Sequence, residues 1–120
     1  MKQIKKAGTL LLIVIMFVAF MTANAENGNN DPIELFKAKK CNSCHSIKVL
    51  GIEKKNKKSK GTDLSYVGSK YEAPFLMDYL QKKVEINGKK HGIKFRGSDE
   101  ELTEMIGFLM SLRTEDEDKQ

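Results

Sequence analysis

Side chains suited to acid–base or metal chemistry at neutral pH are scarce in this 120-residue chain, which has only two cysteines and two histidines. It offers no nucleophile–base pair around which an enzyme could be built, so catalysis is not expected. A zinc module is short of donors as well. Such a site wants four, and His91 is the one strong nitrogen or sulfur donor outside residues 41–45. Past residue 25 no segment alternates apolar and polar side chains well enough to be a strand, and none repeats. Neither cysteine stands near the apolar N-terminal run, which excludes a lipid attachment there.

What is present is concentrated in Cys41-Asn42-Ser43-Cys44-His45. This spacing reads as a covalent haem c attachment site. Two thiols three positions apart can reach the two vinyl groups on one edge of a porphyrin, and the adjacent imidazole can swing under the iron as proximal ligand. Cys41 and Cys44 would carry the thioethers of one haem and His45 the axial base. A disulfide across two intervening residues would close too small a loop to stabilise much. A thioredoxin-like pair would need strand–helix alternation around the motif, which is missing.

The N-terminus agrees with the motif. Lys2, Lys5 and Lys6 form a basic start, residues 7–21 are apolar or small apart from Thr9, and Ala23-Asn24-Ala25 suits signal peptidase. The run falls short of the roughly 20 apolar residues of a membrane span. Residues 1–25 therefore read as a Sec-type signal peptide, with an uncleaved anchor as the alternative, and the compartment as periplasmic or otherwise extracytoplasmic. Haem is joined to c-type apoproteins outside the bacterial cytoplasm.

Loss of this leader removes three of 21 basic residues and none of the 16 acidic ones, which brings the formal +5 down to about +2. Haem propionates would cancel most of the remainder. Nucleic acid is thus not an expected partner. About 95 residues remain, enough for one small domain. Its charges are segregated, with Lys54, Lys55, Lys57, Lys58 and Lys60 in one stretch and Glu115 to Asp118 in an acidic tail at 114–120. Both read first as solvated surface, with a docking charge for an acidic partner as the functional alternative.

The elements are helical. After a leader at 26–30, Asp31 as N-cap, Pro32 and Glu34 predict a helix running to about residue 41. Residues 49–61 read as an irregular loop. Asp63, Leu64 and Val67 suggest a short helix over 63–70. Pro74 opens another to about Lys83, with Phe75, Leu76, Tyr79 and Leu80 on one side. Residues 84–97, with three glycines and His91, read as a loop. Ser98-Asp99-Glu100-Glu101 is a capping box for a last helix with its apolar face on Leu102, Met105, Ile106, Leu109 and Leu112.

Residues 31–113 resemble the class I cytochromes c, small single-haem electron carriers. The likeness rests on Phe36 in a helix before Cys41, on Gly61-Thr62-Asp63-Leu64-Ser65-Tyr66-Val67-Gly68-Ser69, and on Ser98 to Leu102 leading into Ile106-Gly107-Phe108-Leu109. It implies an all-α cytochrome c-like bundle of about four helices wrapped around one haem. In it Phe36 would cross the last helix at Gly107 and Phe108. Two departures stand out. Thr62 replaces the family's proline, whose carbonyl accepts a bond from the proximal imidazole; the backbone carbonyl survives the exchange. The family's sixth ligand, a methionine before the last helix, has no counterpart in 84–97.

His91, framed by Lys90 and Gly92, lies where that ligand would fall and is the expected distal ligand. Met77, which rides on the Pro74 helix, and Lys89, Lys90 and Lys94 are the alternatives. Met105 and Met110 read as packing. The resemblance implies a monomeric carrier passing single electrons between redox protein partners as its iron cycles between ferric and ferrous. Two nitrogen ligands imply a lower potential than methionine ligation gives. The competing reading is a haem-containing sensor, gas-binding or accessory subunit with an open or labile sixth position.

Overall fold

A computed structural model describes residues 31–114. The leader, residues 26–30 and the acidic 115–118 segment lie outside the described residues. Helix α1 (Pro32–Ala38) starts as its sequence predicts. Asp31 accepts the Ile33 N–H at 2.9 Å, and Pro32 sits where a missing N–H leaves nothing unsatisfied. Glu34 does not close a capping box but pairs with Lys37 at 3.0 Å. The helix also stops short of the expected residue 41. Lys40 takes a left-handed backbone (φ 60°) and turns the chain into a single 3-10 turn, Cys41–Ser43.

Helix α2 (Ala73–Leu80) is likewise shorter than expected, because Lys82 is left-handed (φ 61°). Of its apolar side only Leu76 is buried, and Phe75 and Tyr79 stay half-exposed. Helix α3 (Asp99–Ser111) has the predicted capping box. Ser98 Oγ accepts the Glu101 N–H at 3.2 Å, and the Glu101 carboxylate accepts the Ser98 N–H at 2.9 Å. Its predicted stripe of Leu102, Met105, Ile106, Leu109 and Leu112 is entirely buried.

This stripe packs α3 against α1, α2 and the turn Val67–Ser69. Phe36, 1% exposed, meets Phe108 edge-on at 6.1 Å. Gly107 is not part of that crossing. It is exposed, and a Cβ there would meet nothing within 4 Å. Neighbours on a helix point about 100° apart, so the face that takes Phe108 turns Gly107 outward.

The helix expected over 63–70 is reduced to the turn Val67–Ser69. Asp63 does not cap it, because its carboxylate is occupied by the Lys48 N–H (3.1 Å) and the Ser46 and Ser65 hydroxyls (3.2 and 2.9 Å). The turn docks on the C-terminal end of α3, with the Gly68 N–H on the Leu112 carbonyl at 2.9 Å. A side chain at Gly68 would overlap the Met110 carbonyl. Among the described residues the architecture is therefore all-α, with three α-helices, three 3-10 turns and no strand. Isolated bridges join Ile47 to Ile52 and Ile86 to Lys89. None of the described helices is long and apolar enough to cross a membrane.

Candidate functional site

The Cys41–His45 segment is laced to residues 54–61. Carbonyls of Asn42 and Ser43 accept the N–H groups of Lys55 and Asn56 at 2.8 and 3.0 Å. The Ser59 hydroxyl donates to the Cys44 carbonyl at 2.9 Å and accepts the Gly61 N–H at 3.0 Å. Gly61 lies so close that a Cβ there would overlap the Cys44 carbonyl. Lys54 closes the loop, its ammonium donating to the Ser59 and Gly61 carbonyls at 2.8 and 3.3 Å. The 49–61 segment, expected to be an irregular loop, is thus a strap around the motif. Lys54 is drawn out of the supposed docking stretch, leaving Lys55, Lys57, Lys58 and Lys60 exposed.

Both cysteines are half-buried and free. Burial pushes the Cys41 thiol up to about 11; its own backbone bond and Lys39 oppose that rise and Cys44 adds to it. Such a thiol is protonated at neutral pH. Among the described residues no group of three or more histidine, cysteine, aspartate or glutamate side chains converges as a metal site.

His45 and His91, 46 positions apart in sequence, stand together. Their ring centroids are 6.0 Å apart and their planes differ by 9°. The Nδ1 of His45 donates to the Thr62 carbonyl at 2.8 Å, and the Nδ1 of His91 to the Ile93 carbonyl at 2.5 Å. A carbonyl can be satisfied only by an N–H, so in the neutral tautomer that makes these bonds the proton sits on Nδ1 and the lone pair on Nε2. Burial lowers the His45 pKa; the Thr62 bond opposes that fall and the charges of His91 and Lys54 add to it, so the net effect favours the neutral ring.

Two imidazoles bonded to one ion from opposite sides, at nitrogen–metal distances of about 2 Å, have centroids about 6 Å apart. Met77 lies on α2 packed against the core, Met105 is buried within it and Met110 packs on its edge. Lys89, Lys90 and Lys94 are exposed.

Two features place His91 that sequence reasoning missed. The first is a tight reversal at Asn87-Gly88, both left-handed (φ 51° and 73°), closed by paired Ile86 and Lys89 backbone bonds of 2.9 and 3.1 Å. Asn-Gly is the usual signal for such a two-residue turn and could have been read from sequence. The second is a row of rings. Tyr71 stacks on Phe75 at 5.5 Å and Phe75 on Tyr79 at 6.4 Å, and Tyr79 meets His91 edge-on at 5.3 Å. Lys39 ties down the far end of the loop, its ammonium 2.7 Å from the Glu101 carboxylate and 5.9 Å from the centre of the Phe95 ring. Compared with protein-family models, curated proteins and solved structures, the chain matches none.

Proposed function

We propose that this chain is an extracytoplasmic class I c-type cytochrome, a monomeric carrier of single electrons whose helices wrap one covalent haem. Cys41 and Cys44 would hold the porphyrin by thioethers, with His45 and His91 as the axial ligands. The observation that supports this most is the pair of near-parallel imidazoles 6.0 Å apart, each with Nδ1 committed to a carbonyl. Haem, when bound, supplies a one-electron ferric–ferrous couple. The residues of the chain do the rest. Thr62 and Ile93 hold the two ring tautomers, and the 54–61 strap braces the motif. Lys55, Lys57, Lys58 and Lys60 offer positive charge to an acidic redox partner.

A second reading is favoured by the 88–94 segment, which is exposed except at His91. A ligand carried on such a loop can detach, and a labile sixth position suits a gas-binding or sensor role.

The ferric absorption spectrum of the purified mature protein separates these readings. The carrier requires a low-spin six-coordinate haem that survives acid–acetone extraction, lacks the weak far-red band of methionine ligation, and disappears in Cys41→Ala/Cys44→Ala. His91→Ala should turn it high-spin or water-ligated. A five-coordinate wild type would support gas binding, and bound zinc without a Soret band would support a zinc module. A spectrum indifferent to His91→Ala but altered by Met77→Ala would move the distal role to Met77.

A further inference from the structure

The hydrogen bond from His91 to Ile93 fixes one atom of the imidazole but leaves the ring free to pivot about that bond. The backbone around it offers little help. Among the described residues the N–H and carbonyl of His91 make no hydrogen bond, and the nearest ties are the paired Ile86–Lys89 backbone bonds (2.9 and 3.1 Å), Lys82 Nζ to the Gly92 carbonyl (3.4 Å) and the Phe95 N–H to the Leu80 carbonyl (2.9 Å). One ring contact bears directly on the plane of the imidazole. Tyr79 meets it at 5.3 Å and 70°, an edge-to-face geometry that opposes rotation of either ring. Tyr79 is in turn held by Phe75 (6.4 Å, 5°), and Phe75 by Tyr71 (5.5 Å, 16°). The three lie four residues apart, so α2 and the residues leading into it present them along one side.

We propose that Tyr79, backed by Phe75 and Tyr71, is the positioning residue that locks the His91 ring parallel to that of His45. The inference rests on the two-histidine ligation proposed above and deepens it. The consequence is electronic. Each axial imidazole donates π density into the iron d orbital perpendicular to its own plane. Parallel rings raise the same d orbital and split the dπ pair, whereas crossed rings raise one each and leave the pair nearly degenerate. The first case gives a rhombic, three-feature low-spin EPR spectrum. The second gives a single, strongly anisotropic feature with a larger maximum g value. The ring row would thus set the electronic ground state of the carrier from a helix outside the Cys41–His45 motif.

Low-temperature EPR of the ferric, haem-loaded protein tests this. Wild type is expected to give the rhombic pattern, and Tyr79→Phe, which keeps the ring and loses the hydroxyl, to retain it. Tyr79→Leu should move the largest g value upward while the optical spectrum remains low-spin and six-coordinate. Phe75→Leu should give a smaller shift in the same direction, and decides the matter if Tyr79→Leu yields no loaded protein. A spectrum unchanged in the leucine variants, or shifted as far by Tyr79→Phe as by Tyr79→Leu, overturns the lock. So does a low-spin wild type that is already strongly anisotropic. A wild type that is not low-spin refutes instead the ligation on which the inference rests, and is recognised before any variant is made.

Discussion

Gly61 offers the sharpest test of how the motif is braced. In Gly61→Ala the new methyl would overlap the Cys44 carbonyl and crowd the Cys44 Cβ, so the strap must move away from the motif. Forcing a methyl into a filled site costs about 1–3 kcal/mol. The displaced strap would also strain or break the Ser59–Cys44 bond (2.9 Å) and the Lys54–Gly61 bond (3.3 Å). At about 1 kcal/mol each, those add about 2 kcal/mol at most. The total of about 1–5 kcal/mol compares with the 5–15 kcal/mol typical of a domain. For a domain this small it corresponds to a fall in Tm of about 4–40 °C.

Gly107→Ala is the matched control. It sits in α3, exposed, with open space around its Cβ, and should gain about 0.5–1 kcal/mol from helix propensity alone. Denaturant and thermal unfolding of the mature protein, followed by far-ultraviolet circular dichroism and by haem absorption, would measure both. Equal effects for the two variants, or a loss under 1 kcal/mol for Gly61→Ala, would refute the close strap.

Thr62→Pro should keep the His45 bond, since that uses the Thr62 carbonyl, and removes an N–H that donates no bond among the described residues. A gain of about 0.4–1 kcal/mol in denaturation, with an unchanged absorption spectrum, is expected; a loss would mean that residue 62 does not fit proline. Burial raises the Asp63 pKa, but the Lys48 N–H and the Ser65 and Ser46 hydroxyls outweigh it and leave the carboxyl below its ordinary value. Its stabilisation is then complete above the unfolded value of about 3.9 and is lost as pH falls through the lower folded value. Stability measured against pH should show wild type and Asp63→Asn differing by a constant amount at neutral pH and converging below pH 4, and a gap unaltered by acid would contradict the assignment. Lys57→Glu with Lys58→Glu should slow electron transfer to an acidic partner and flatten its salt dependence, because such charges act over about 8 Å at physiological ionic strength. Lys54→Glu should instead lower stability, as its ammonium is spent inside the strap, and stopped-flow rates beside unfolding curves would separate the two effects.

The sequence by itself determined what depends on short-range chemistry. Asp31-Pro32 and the Ser98–Glu101 box begin α1 and α3 because caps act within three residues. The buried stripe of α3 is legible because a helix repeats its face every 3.6 residues. The spacing of Cys41, Cys44 and His45 is likewise local, and so was open to reading. Helix ends were not, since left-handed Lys40 and Lys82 stop α1 and α2 where no proline or glycine marks the place. Other features only the tertiary structure decided, because their partners are far apart along the chain. Lys54 looks like one more surface lysine until the strap folds its ammonium onto Ser59 and Gly61. Asp63 looks like a cap until Lys48 reaches it from 15 residues away. His91 could be singled out from sequence, but that its ring lies parallel to His45, beside the Asn87-Gly88 turn, on the Ile93 carbonyl and edge-on to Tyr79, could not. Periodicity and caps specify which faces are apolar and where helices begin. The angle between two rings 46 residues apart is set by packing, which no local rule contains.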